Sequence, residues 1–158
     1  MYESFLYGLE LVKCEHLRPK IWKMICHTGG GQCDEDGAAE YAKLLSAKDP
    51  KMDNKIAKDI HRTIPGSQEF SQKPESGTNR LFNVLKAYTA LDTEIGYAQG
   101  MNFIAVLILS VVEDERDAFW VFVYVLQKMN WRQIFDIQSD RIATVLKKIE
   151  SAMALEFP

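Results

Sequence analysis

Residues 95–109 read IGYAQGMNFIAVLIL, and the run changes character partway along. Its first part sets two glycines, Gly96 and Gly100, around Tyr97 and Gln99. Its second part, from Phe103 on, is unbroken aliphatic and aromatic side chains. A segment apolar on most faces reads as a central, buried helix, here predicted over about 100–112. The following run, 115–129, has the same character and predicts a second buried helix. A core helix has no use for an amide at its mouth. Gln99 therefore points to something outside the core, and the glycines on either side let the backbone approach another surface closely.

Outward from this pair, helical periodicity continues in both directions. Leu17, Ile21, Met24 and Ile25 form one stripe, with Pro19 tolerable in the first turn. Asp36 is placed to cap a helix through Tyr41, Leu44 and Leu45, and Asp53 to cap a short one that stacks Ile56 on Ile60. Pro65 drives Ile64 into extended backbone, so that helix ends near Thr63. Residues 64–77, IPGSQEFSQKPESG, form a long polar loop, and a connection of this kind is more often functional than idle. Ser76 or Thr78 opens a helix through Leu81, Val84, Leu85, Tyr88 and Leu91, broken near Gly96. Residues 131–135 suggest a short helical turn and 139–155 a final amphipathic helix. No segment alternates with the period of a strand. The fold class is all-α, with roughly seven to nine helices and no sheet.

At 158 residues the chain fits one domain with a sizeable core, and 47% apolar with 26% charged residues suits a soluble globular protein. A net charge of −3 offers no general attraction to nucleic acid or to acidic membranes. The apolar run at 103–112 is too short for a transmembrane segment. No positively charged, apolar leader follows Met1, which predicts no secretory signal. Three cysteines, Cys14, Cys26 and Cys33, at these spacings suggest reduced thiols and no disulfide framework. A cytoplasmic location is the expectation.

Most candidate chemistry fails on spacing. Gly29, Gly30 and Gly31 are not followed by the lysine and hydroxyl of a phosphate cradle. A calcium register through Asp34, Asp36 and Gly37 puts Gln32 first and Lys43 last, where acids are needed, so 29–37 reads as a surface loop. Cys26, His27 and Cys33 fit no standard zinc site. His16, His61, Lys20, Lys23, Lys147 and Lys148 read as solvated helix residues. No serine sits in a nucleophile elbow, and no carboxylate pair stands out for acid–base work. Two features remain. In IAKDIHRT, Asp59 and Arg62 lie three residues apart on one helical face and can pair. Arg62 also stands at the helix C-terminus, where a cation suits the dipole and can project into a partner's site. The other is Tyr97-Ala98-Gln99, at the mouth of the buried helix.

Together these residues resemble the two finger motifs of TBC-domain proteins, the Rab GTPase-activating family. Ile56, Asp59 and Arg62, followed by Thr63 and Pro65, match its Ile-x-x-Asp-x-x-Arg motif. Tyr97 and Gln99, in the setting Gly96-Tyr-Ala-Gln-Gly-Met-Asn102, match its Tyr-x-Gln motif, with Ala98 where a cysteine is common. Leu17 to Trp22, Arg80 to Leu85 and Asp117 to Trp120 resemble further family segments in the same order. The resemblance implies a single TBC-like domain over 1–158, its C-terminal subdomain incomplete because the chain stops where the family's remaining helices would begin.

What the resemblance implies is activation in trans. Arg62 would be an arginine finger beside the charge developing between β- and γ-phosphates, and Gln99 a glutamine finger orienting the attacking water. Ile56, Asp59, Thr63, Tyr97, Gly100 and Asn102 would support them. The partner would be a Rab-family small GTPase in its GTP-bound state, reached peripherally at endomembranes. GTP and Mg²⁺ would belong to that partner, leaving this chain without a cofactor, metal or nucleic acid of its own. Two other readings stay open: an interaction module that binds a GTPase or scaffold without accelerating it, and a generic helical scaffold.

Overall fold

The computed structural model describes residues 17–28, 35–63, 79–136 and 140–156, and among these there is no strand. Helices α1 (Arg18–Thr28), α2 (Glu35–Leu45), α3 (Pro50–Thr63), α4 (Asn79–Leu91), α5 (Met101–Leu109) and α6 (Glu115–Val123) build the core. A π-helical turn, Tyr124–Lys128, prolongs α6, and α7 (Arg132–Phe135) and α8 (Arg141–Glu156) follow. The all-α expectation holds. No described helix is long and apolar enough to cross a membrane.

Helix α6 is the central element. Asp114 caps it, its carboxylate accepting from the Asp117 N–H at 2.9 Å, and every residue from Asp117 to Val123 is buried. Around it pack Leu81, Val84, Leu85 and Tyr88 of α4, Ala105, Ile108 and Leu109 of α5, and Tyr41 of α2. The Tyr41 ring lies 4.8 Å from that of Phe119, its hydroxyl donates to Glu115 at 2.8 Å, and the Trp120 indole donates to the Gly37 carbonyl at 3.2 Å. Removing a ring from this centre, as in Phe122→Ala, costs about 3–5 kcal/mol by analogy with other cores.

Several local expectations need correcting. Asp36 lies inside the first turn of α2, which begins at Glu35, so it is not the cap. With it Gly37 is helical and buried, so the surface loop predicted over 29–37 does not extend to its last residues. Residues 29–34 and the loop 64–77 lie outside the described residues, as do Cys14, His16, Cys33 and the Cys26 side chain. Asp53 does not cap α3 either. The helix starts a turn earlier, where Asp49 accepts from the Met52 N–H at 3.1 Å and Pro50 takes the first helical position, which needs no N–H. Asp53 instead pairs with Lys86 at 3.3 Å and ties α3 to α4. On α1, Met24 faces outward, because the helix meets the core through Trp22 and through the Lys23–Asp117 ion pair at 2.7 Å. Lys23 is thus a pairing residue as well as a solvated one.

The largest difference concerns α5. Phe103 and Leu107 are 54% and 69% exposed, although the helix is apolar throughout apart from Asn102. Helix α5 packs on α3, α4 and α6 along one side, and that side takes Met101, Asn102, Ala105, Ile108 and Leu109. Helix α8 is amphipathic as expected, yet its apolar positions Ile142, Val145, Leu146, Ile149 and Met153 are exposed. The predicted helix over 115–129 is present, with its final turn widened to π geometry, where the Met129 N–H reaches the Tyr124 carbonyl at 3.1 Å.

Candidate functional site

Helix α3 carries both its core face and its site residues within one short stretch. Ile56 is fully buried, and one turn on Ile60 packs against the same core. This holds the helix so that Asp59 and Arg62 fall on the flank beside the 96–100 turn. The helix ends at Thr63, as the following proline requires. Arg62 therefore stands in its last turn, with a side chain 74% exposed.

The turn opposite is shaped by two glycines in left-handed backbone. Gly96 has φ +63° and Gly100 φ +104°, a region that side chains with a Cβ rarely adopt. A Cβ at Gly100 would also meet the Phe135 ring at 3.3 Å, so α7 backs this turn closely. Between the glycines Tyr97 is buried and Gln99 is exposed. One residue faces the core and the other faces out.

Hydrogen bonds join the two segments. The Tyr97 hydroxyl donates to Asp59 Oδ2 at 3.0 Å, while Arg62 Nη2 meets Asp59 Oδ1 at 3.2 Å. Burial pushes the Tyr97 phenol well above its ordinary pKa, and the hydrogen bond to Asp59 and its charge add to the rise. That phenol stays protonated and remains a donor. The Asn102 amide donates to Thr63 Oγ1 at 2.6 Å, and the Thr63 hydroxyl donates in turn to the Asp59 carbonyl at 2.6 Å. Asn102 Oδ1 accepts from the Gly100 N–H at 3.0 Å, which closes the turn below Gln99. All six expected supporting residues, Ile56, Asp59, Thr63, Tyr97, Gly100 and Asn102, thus lie in this one junction.

Sequence reasoning missed Lys55. Its ammonium donates to the Tyr97 carbonyl at 2.8 Å and sits 5.6 Å from the centre of the Tyr97 ring. The available signal was its place four residues before Asp59, on the same helical flank. Arg62 rests against its own helix, through Asp59 and through a 3.4 Å bond from Nε to the Lys58 carbonyl. Among the described residues no group of three or more His, Cys, Asp or Glu side chains is placed to hold a metal ion. Chemically, the junction offers an exposed guanidinium and an exposed amide from two cross-linked segments.

The sequence matches the family described as the Rab-GTPase-TBC domain over residues 15–158. It is 33% identical over 143 residues to the ecotropic viral integration site 5 ortholog of Drosophila melanogaster, covering 90% of this chain and 17% of that protein. The human ecotropic viral integration site 5 protein homolog is 32% identical, with the same coverage of 90% and 17%. Growth hormone-regulated TBC protein 1-A of Danio rerio is 35% identical over 116 residues, 73% of this chain and 32% of that protein. The chain therefore spans less than a third of the length of each of these relatives.

Proposed function

The chain belongs to the Rab-GTPase-TBC domain family, and from that premise we propose that it accelerates GTP hydrolysis on a Rab-family GTPase by presenting Arg62 and Gln99 to the bound nucleotide. The observation that carries this reading is the junction itself. The two segments bearing an exposed arginine and an exposed glutamine are joined by Tyr97 to Asp59, Asn102 to Thr63 and Lys55 to the Tyr97 carbonyl.

GTP hydrolysis is phosphoryl transfer, in which positioning and charge stabilisation supply nearly all of the catalysis. Arg62 is always charged and its fork suits phosphate oxygens, so it stabilises charge developing at the transferring group. A finger of this kind is worth about 10³–10⁵ in rate, or about 4–7 kcal/mol of barrier. Gln99 orients the attacking water, a task suited to an amide that both donates and accepts. GTP and Mg²⁺ are the partner's. Arg62 must leave Asp59 to act, and a pair three residues apart whose arginine is largely exposed holds it by about 1 kcal/mol. That is small beside the gain. The GTPase meets the chain in its GTP-bound state, on the cytoplasmic face of an endomembrane.

Single-turnover GTP hydrolysis across a panel of Rab proteins tests the proposal. Acceleration of at least one Rab is expected, with Arg62→Ala and Arg62→Lys each losing about 10³-fold or more. A Rab with its own catalytic glutamine replaced should still respond to the wild-type chain and not to Gln99→Ala. Acceleration that survives Arg62→Ala overturns the arginine role. Binding to a GTP-loaded Rab without acceleration leaves the interaction-module reading in its place.

A further inference from the structure

Helix α3 has a second pattern that the finger reading leaves unused. Its sequence, PKMDNKIAKDIHRT, contains four cations, Lys51, Lys55, Lys58 and Arg62, and two carboxylates. At about 100° per residue the four cations fall within about 60° of arc, centred about 130° from the buried Ile56. They span about 16 Å along the axis. All four residues are exposed. Both carboxylates lie off the stripe and are already engaged, Asp53 with Lys86 at 3.3 Å and Asp59 with Tyr97 at 3.0 Å and with Arg62 of the stripe itself at 3.2 Å. Among the described residues no carboxylate pairs with Lys51 or Lys58. In a chain of net charge −3 this is a local concentration of positive charge, and it leads to Arg62.

We propose that the Lys51–Lys55–Lys58–Arg62 stripe is an electrostatic docking surface for an acidic face of the GTPase bordering its nucleotide, and that it sets how fast and how tightly the finger arrives. This rests on the function proposed above. A charged face next to a reactive group raises encounter rates by about 10–10³-fold, an effect that salt removes. The occupant is a protein because the stripe and the finger share one face. A membrane lying flat on the lysines would cover Arg62 as well, leaving it unable to reach a nucleotide. Lys55 links the two roles, since it also holds the Tyr97 carbonyl.

The test is the Lys51→Gln/Lys58→Gln double variant, which spares Lys55 and both fingers. Single-turnover hydrolysis is followed against protein concentration at several ionic strengths, with circular dichroism to verify helix content. The expected result is a kcat/KM lower by about tenfold at low salt, with the saturating rate unchanged and the difference closing as salt rises. Equal kcat/KM and equal salt dependence overturn the proposal, as does a loss that salt does not alter. It also fails if the lysines govern binding to phosphatidylserine-containing vesicles while kcat/KM stays fixed. If the wild-type chain is accelerating and needs Arg62, yet the double variant matches it, the stripe is wrong and the finger reading stands. If no Rab is accelerated, the finger reading falls. The stripe is then judged by association with Rabs carrying a non-hydrolysable GTP analogue. Salt-sensitive, lysine-dependent association supports it, and absence of that dependence overturns it.

Discussion

Tyr97 is where a buried residue governs an exposed one. Its ring is enclosed, its hydroxyl is committed to Asp59, and its carbonyl is held by Lys55, so the backbone two residues before Gln99 has little freedom. Tyr97→Phe keeps the ring and deletes the donor. The expected stability loss is about 1 kcal/mol, read as a fall of about 2–4 °C in Tm. The expected loss of activation is larger, about ten- to hundredfold, because small displacements of a positioning group are expensive in rate. A variant that melts lower but activates fully would limit Tyr97 to packing. The motif residues around it were legible in the sequence because their spacing is local. Lys55 was not, since its partner lies 42 residues away and no local pattern announces such a bond.

At the scale of elements, α7 is small but holds the glutamine turn from behind. Arg132 forks onto Asp92, with Nε at 2.6 Å and Nη2 at 3.0 Å, and also pairs with Glu94. Burial opposes ionisation of Asp92, but the Arg132 fork, the Ile95 N–H and the Tyr88 hydroxyl together hold its carboxyl below the usual range. That contribution is present above the ordinary aspartate pKa near 4 and is lost as pH falls through the lower folded value. Arg132→Ala strands the buried carboxylate and should cost about 3 kcal/mol, the lower end of the range for broken buried pairs because Arg132 is partly exposed. Chemical denaturation checks the loss, which should shrink toward acid pH as Asp92 protonates. Element ends show where sequence reading works and where it stops. The end of α3 was legible because a proline constrains its predecessor whatever the surroundings. Its start was misplaced because Asp49 and Asp53 are both chemically able to cap, and only Pro50 in the first helical position decides between them. The exposed face of α5 was illegible for another reason. An apolar helix records that it is packed, but which neighbours exist on each side is a property of the assembled fold.

At the scale of the whole molecule, three buried phenols among the described residues share one arrangement. Tyr41, Tyr88 and Tyr97 are each raised above the ordinary pKa, first by burial and then by a carboxylate neighbour, Glu115, Asp92 and Asp59 respectively. With folded values above unfolded ones, their contribution is intact below pH about 10 and is lost as pH rises beyond it. Stability should therefore drop steeply in alkali, with the unfolded chain releasing up to three more protons than the folded one. Tyrosinate absorbance checks this. Of the six tyrosines, these three should ionise only together with the loss of helical circular dichroism. Independent titration of all six near pH about 10 would contradict it. The π turn at Tyr124–Lys128 has a further consequence, for the phase of the chain. Such a turn amounts to one supernumerary residue in an α-helix. Rewinding it to α geometry with that residue retained would rotate everything downstream by about 100° and advance it about 1.5 Å. Arg132 would then miss Asp92, and Phe135 would leave the back of Gly100. Deleting one residue from the turn would instead restore regular winding with the downstream register nearly kept, so the glutamine turn should tolerate a deletion there better than an insertion.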